Sequence, residues 1–285
     1  MEVQNDEGVA GARTSIGSVV SLWRYPVKSM MGEELNASYI AEGGLLGDRV
    51  YALEDEATGR VVSAKNPQKW GKLFDFRASF VREPVPHQTL PPIRFALPYG
   101  DSVTSDHPDV DLKLSEALGA RVRLLASAPE QPRYEEYWPD IDGRTNRDKL
   151  TEEFMPPRTF FDGATVHFLT TTTLDTLRAL YPEGRFEARR FRPNIVIGSR
   201  SPERKFAEND WLERTLQVGE VALKVTKLCS RCVMTTLSQG DLPEDLGVLR
   251  TAARYNRVHV GAYATVVRGG RIRRGDSVKL LDILD

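Results

Sequence analysis

Cysteine is nearly absent. Cys229 and Cys232 are the whole thiol inventory of 285 residues, which excludes a disulfide framework and leaves a single C-x-x-C. Charge of one sign is missing as well: Lys and Arg number 39 against 40 Asp and Glu, a net charge of -1. That balance argues against a chain whose main task is coating nucleic acid or an anionic membrane. No apolar run approaches the roughly 18 residues a membrane helix needs. The opening MEVQNDEGVAGARTS has early acids and no apolar segment, so it reads as neither a secretory signal nor a basic transit peptide. The expectation is a cytoplasmic chain with no membrane segment and no nucleic-acid partner. Also missing are G-x-G-x-x-G after a strand, G-x-x-x-x-G-K-[ST], H-E-x-x-H and G-x-S-x-G, which leaves dinucleotide, P-loop, zincin and hydrolase-elbow readings without support. His87, His107, His167 and His259 lie far apart, whereas zinc motifs usually come as two close ligand pairs.

What is present is an ordinary folded composition, 40% apolar and 28% charged, over a length that suits about two domains. Residues 1–14, small and polar, read as a disordered tail. Short β-rich runs separated by Gly, Asp, Asn and Pro turns, with one helix near Leu114–Leu118, predict a β-barrel-like domain over 15–128. The stretch 129–157, with five Pro and little apolar periodicity, reads as a long loop or connection. A second β-domain follows over 158–285. It holds a strand at Thr165–Leu169, a helix capped by Thr172 or Thr173, and strands at Asn194–Ile197 and Val218–Lys227. A helix over Leu242–Tyr255 and a final hairpin of Tyr263–Val267 with Ser277–Leu281 complete it. The fold class expected is mainly β with some helices (α+β), as two barrel-like β-domains rather than a doubly wound sheet.

The C-x-x-C admits three readings. Two small thiols near a strand end pack as buried core. A redox dithiol wants a helix opening at the first Cys, whereas Val233, Met234 and the Thr pair after it look strand-like. The third reading is one thiolate ligand for a soft, redox-active metal, with Ser230 and Arg231 offering a hydroxyl and a guanidinium to something anionic. Arg192, leading through Pro193-Asn194 into a strand, is placed to clamp a phosphate. The run Arg268, Arg271, Arg273 and Arg274 reads as a solvated face. Trp23, Trp70, Trp138 and Trp211 read as core or loop anchors, Trp138 being the one placed to touch a substrate.

Four motifs in order, YPVKS at 25–29, GDR at 47–49, FRPNIV at 191–196 and RCVMTT at 231–236, resemble the MOSC family, named for the C-terminal domain of molybdenum cofactor sulfurase. The resemblance runs from about residue 16 to 281 and takes in the family's N-terminal β-barrel domain, in a layout similar to the mitochondrial amidoxime reducing component and its bacterial relatives. It implies that the second domain is a MOSC-type barrel and that the cofactor is the molybdenum cofactor (Mo-molybdopterin). Cys232 would be the metal ligand, with Cys229 not coordinating. Lys28, Ser29, Arg49 and Arg192 would hold pterin and phosphate, and Ser230 and Arg231 would precede the ligand. FFDGATVHFLT would bring Asp162, Gly163 and Ala164 near metal and pterin, although its GATVH departs from the family's usual residues. Tyr263 in VGAYA would be a further contact.

Asp162 and Asn194 are the groups expected to orient a small-molecule substrate or relay a proton. The implied activity is an oxidoreductase reducing N-hydroxylated substrates, such as amidoximes and hydroxylamine-type compounds, by oxygen-atom transfer. With no cysteine left for an iron–sulfur cluster, electrons would come from a separate donor protein, ferredoxin- or cytochrome b5-type with its reductase. The alternatives are a non-catalytic carrier of the cofactor or of persulfide sulfur, and a β-protein with a buried C-x-x-C and no cofactor.

Overall fold

The computed structural model describes residues 13–199 and 205–281. Seven strands close into a barrel: β1 (Arg13–Arg24), β2 (Val166–Thr170), β3 (Ile195–Ser199), β4 (Thr215–Val218), β5 (Val221–Ser230), β6 (His259–Arg268) and β7 (Ser277–Leu281). Around the ring their order is β3-β2-β6-β5-β4-β7-β1, and β1 returns to pair with β3. Every neighbouring pair is antiparallel except β2 and β3, which run parallel in register Phe168↔Ile195. A parallel pair needs a crossover. Here it contains α2 (Thr171–Leu180) and the short α3 (Ala188–Phe191), which comes after α1 (Val110–Leu118) of the first half and before α4 (Leu246–Asn256).

Alternation explains the barrel wall. In β5 the inward Val221, Leu223 and Val225 are fully buried, and they meet Val19 and Leu22 of β1, Phe168 of β2 and Ile195 of β3 in one core. Phe168 lies against Trp211 with centroids 5.9 Å apart, so truncating it to Ala removes about 3–5 kcal/mol of packing. The first half packs a separate core of Trp70, Leu73, Phe74, Phe76, Phe95 and Leu114 between small sheets. Met234 and Leu237, from just beyond Cys232, complete that core, so the two halves share a seam behind the C-x-x-C. Among the described residues no helix is long and apolar enough to cross a membrane.

Several expectations change. Residues 1–12 of the expected tail lie outside the described residues, but Arg13 and Thr14 already belong to β1, paired with Leu281 and Leu280. The stretch 129–157 contains an antiparallel hairpin, Arg133–Trp138 with Lys149–Phe154. Its inward face carries the charged Glu136, which masked the alternation. The last strands form no hairpin: β6 pairs β5 and β2, β7 pairs β4 and β1, and Gly270–Arg273 between them leaves to pair Ala37–Ala41. The α2 cap is Thr170, whose Oγ1 accepts from Thr173 N at 3.1 Å. Helix α4 begins at Leu246, capped by the Asp245 side chain. The residues after the second cysteine form a single 3₁₀ turn, Val233–Thr236, rather than a strand.

Candidate functional site

Strand β5 delivers the C-x-x-C and then stops. Cys229 is fully buried and its Sγ receives Arg231 Nη1 at 2.7 Å. Cys232 is half-buried and sits at the start of the 3₁₀ turn, its carbonyl accepting from Thr235 N at 3.1 Å and Thr235 Oγ1 at 3.0 Å. That turn is held from behind by Arg190, fully buried, which donates to Thr235 O (3.3 Å), Leu237 O (3.0 Å) and Pro243 O (2.7 Å). The spacing therefore separates two roles. One sulfur braces a guanidinium, and the other faces a cavity.

The cavity measures about 390 Å³ and lies at the seam between the halves. Every residue the sequence offered for catalysis or cofactor binding lines it: Lys28, Ser29, Arg49, Asp162, Gly163, Ala164, Arg192, Asn194, Ser230, Arg231, Cys232 and Tyr263. Lys28 and Ser29 follow four and five residues after the end of β1, and Arg192 bridges α3 and β3. Ser29 (φ 65°), Arg49 (φ 49°) and Arg192 (φ 53°) all adopt left-handed backbone conformations. Such conformations cost about 1–2 kcal/mol per non-glycine residue and persist where surrounding structure fixes them, often at binding sites.

Charge is unevenly distributed around the wall. Seven Lys and Arg side chains line the cavity against three carboxylates. Arg49, ion-paired to Asp48, and Arg192 lie over the Tyr25 ring at 4.6 and 4.1 Å. Arg192 donates to Met30 O at 2.5 Å and has no carboxylate within ion-pair distance among the described residues. Its burial, with Arg49 beside it, lowers its pKa to about 10, so it stays charged at neutral pH. Arg231 donates to Phe191 O at 2.8 Å, while its Nε is buried without a partner. Cations held at a cavity wall without a carboxylate partner fit an anionic ligand.

A second cluster lies beside Cys232. Lys28 Nζ donates to Asp162 Oδ1 at 2.6 Å and to Phe160 O at 3.1 Å. Lys65 Nζ donates to Glu136 Oε2 and Tyr134 Oη, both at 3.0 Å, and lies 3.7 Å from Asp162 Oδ1. Burial pushes the Asp162 carboxyl up, but Lys28 and Lys65 outweigh it and hold the group below the usual carboxylate range. Asp162 is thus an anion at pH 7, able to accept a hydrogen bond but with no proton to give. Burial also raises the Cys232 thiol to about 11 against the opposing pull of Lys65. The free thiol is protonated at neutral pH, and a metal must displace that proton to bind.

Asn194, expected beside the substrate, has its side chain engaged by backbone. Its Oδ1 accepts from His167 N at 3.0 Å and its Nδ2 donates to Trp23 O at 3.3 Å, so it ties β1, β2 and β3 together. Sequence reasoning missed Lys65, Tyr134, Glu136 and His167, all on the cavity wall. Lys65 carries no motif, and Tyr134 and Glu136 fell in the stretch read as loop. Among the described residues no three His, Cys, Asp or Glu side chains gather to hold a metal ion. One thiol in a cationic cavity suits a metal that brings its remaining ligands on an anionic organic group.

The sequence profile of the MOSC domain matches residues 156–279, and that of the MOSC N-terminal beta barrel domain matches residues 16–73. The chain carries both domains of the MOSC family. Mitochondrial amidoxime-reducing component 1 of Mus musculus is 24% identical over 93% of this chain and 83% of its own length. The Homo sapiens protein of that name gives the same identity and coverage. A molybdenum cofactor sulfurase of Oryza sativa subsp. japonica is 23% identical over 82% of this chain, and the match takes in 30% of that protein. These relatives, 23–24% identical, support a molybdenum-cofactor-related function. The N-terminal match begins inside β1, the strand that closes the barrel formed otherwise by the second half.

Proposed function

We propose that this MOSC chain binds the molybdenum cofactor through Cys232 and reduces N-hydroxylated small molecules. The observation that carries the proposal is the position of Cys232 on the wall of a cavity whose cation excess comes from both halves of the chain. Arg192, Arg49 and Arg231 suit the anionic part of the cofactor, and Ser29 and Tyr263 line the same wall. The cofactor, when bound, supplies the two-electron redox chemistry by which an N-hydroxyl group is converted to N–H with loss of its oxygen as water.

The chain's own residues do the rest. Cys232 ligates as thiolate, favoured by the neighbouring Lys65 charge. Asp162, held anionic by Lys28, accepts a hydrogen bond from the substrate's N–H or O–H and orients it. Lys65, Tyr134 and Glu136 form a buried hydrogen-bonded chain that holds a proton at the cavity wall, Lys65 remaining charged well above its ordinary range despite burial. Two electrons arrive from a separate donor protein.

The test is molybdenum content and N-hydroxyl reduction in protein made by a host that synthesises the cofactor. The expected result is about one molybdenum per chain. Cys232→Ala keeps the fold and loses both metal and activity, whereas Cys229→Ser, which still offers Arg231 an acceptor, keeps most of both. Protein without molybdenum refutes the proposal, and a persulfide at Cys232 in such protein favours the sulfur-carrier alternative.

A further inference from the structure

The inward face of the 133–154 hairpin carries aromatic and acidic side chains to the cavity wall. Register Tyr134↔Glu153, Glu136↔Thr151 and Trp138↔Lys149 puts Tyr134, Glu136, Trp138 and Glu153 on one side, and all four line the cavity. Tyr134 and Glu136 lie deep and are engaged with Lys65. Trp138, half-buried, lies farther along the strand with its indole fixed: Nε1 donates to Thr151 Oγ1 at 2.8 Å, and that hydroxyl donates on to Glu153 Oε1 at 2.8 Å.

A second, narrow cavity of about 10 Å³, room for one water, adjoins the main one. Trp138, Arg144, Arg231 and Cys232 line both. The indole and the thiol therefore line the same two cavities, and the main one is the one with room for a substrate. Arg144 lies over one face of the indole, its guanidinium 5.7 Å from the Trp138 ring centroid and without a carboxylate partner among the described ion pairs. Phe154 and Phe161 also line this cavity.

We propose that Trp138 is a specificity-determining platform that selects planar, conjugated N-hydroxylated compounds, aryl amidoximes above all, over small ones such as hydroxylamine. This rests on the reading of the cavity as a reductase site. A rigid indole locked by Thr151 stacks an aryl ring at little ordering cost, while hydroxylamine offers it nothing to stack.

The experiment compares benzamidoxime with hydroxylamine as substrates of the molybdenum-loaded protein and measures benzamidine binding to it by calorimetry. Trp138→Ala is expected to lower the ratio of the two kcat/KM values about tenfold, through KM for benzamidoxime, and to weaken benzamidine about tenfold. Trp138→Phe restores most of both. A merely structural role lowers both kcat/KM values in proportion, so a ratio within threefold of the wild type overturns the proposal. If loaded wild-type protein reduces neither compound, the reductase reading fails, and benzamidine binding then decides for the platform alone. Tenfold weaker binding to Trp138→Ala upholds it, and no binding to the wild type, or equal binding, overturns it.

Discussion

Replacing Lys65 by Met tests the buried charge cluster beside Cys232 most directly. Lys65 is 7% exposed and Glu136 4%, with Nζ 3.0 Å from the carboxylate, so the pair is desolvated on both sides. Met keeps most of the aliphatic stem and removes only the charge. Glu136 is then left with the Tyr134 hydroxyl, 3.2 Å away, as its remaining partner, whereas Asp162 retains Lys28. Breaking such a pair by deleting one partner costs about 3–5 kcal/mol, since a carboxylate stays buried without its cation. Removing both charges, as Lys65→Met with Glu136→Leu, is expected to cost far less, within about 1 kcal/mol of the wild type. Urea unfolding of the metal-free protein, run as a double-mutant cycle, should then give a coupling of at least about 2–4 kcal/mol, larger by whatever Glu136→Leu costs alone. A second readout follows from the position of Lys65. Its charge opposes the burial that lifts the Cys232 thiol to about 11, so Lys65→Met should slow iodoacetamide alkylation of Cys232 at pH 8, Cys229 being fully buried. A single-variant cost below about 1 kcal/mol, or costs that simply add, refutes the reasoning.

Acid should expose His167. Burial, helped by Arg231, lowers its pKa from 6.5 to about 3, so the folded protein keeps it neutral where the unfolded chain protonates it. Its contribution is fully present above pH 6.5 and is lost as pH falls toward 3, at about 1.4 kcal/mol per pH unit. Urea midpoints between pH 6.5 and 4.5 should therefore fall less steeply in His167→Phe, and an unchanged slope refutes this. Gly261, with φ +78°, has no room for a side chain: a Cβ there would lie 2.5 Å from both His167 Nε2 and Phe168 O. Gly261→Ala should destabilise by about 2 kcal/mol or more, read as a lower unfolding midpoint, and a neutral outcome contradicts that packing.

The barrel wall was legible where alternation was strong, as in Val221, Leu223 and Val225. It was not legible at closure, because β1 pairs with β3 about 180 residues later and nothing in Val19–Leu22 names its partner. Residues of one cavity wall were legible through short motifs in YPVKS, GDR, FRPNIV and RCVMTT, since Lys28, Arg49, Arg192 and Cys232 all line it. What escaped was polar burial. Glu136 and Lys65 each look like solvated residues in sequence, and only their pairing across distant segments makes their burial tolerable. The 3₁₀ turn after Cys232 escaped for a related reason: its local sequence is β-like, and Arg190, forty residues earlier, holds it through three carbonyls.

These failures share a cause that bears on the site. Strand β1 ends at Arg24, and Tyr25, Lys28 and Ser29 follow at once, so the strand that closes the barrel also carries the first wall of the cavity to Cys232 at the end of β5. Arg192 enters β3, the strand β1 closes against, and stacks on Tyr25 from the opposite side of the seam. Barrel closure and assembly of the cationic wall are therefore one event. A fragment of residues 150–285 would lack β1 and expose unpaired edges on β3 and β7, so its failure to retain molybdenum would report an open barrel rather than a missing ligand. Point changes at the seam separate the two. Arg192→Met leaves β1 paired while removing one cation that has no carboxylate partner among the described residues. Its unfolding midpoint should stay near or above that of the wild type as molybdenum content falls, and a parallel loss of stability and metal would show that Arg192 serves the barrel more than the cofactor.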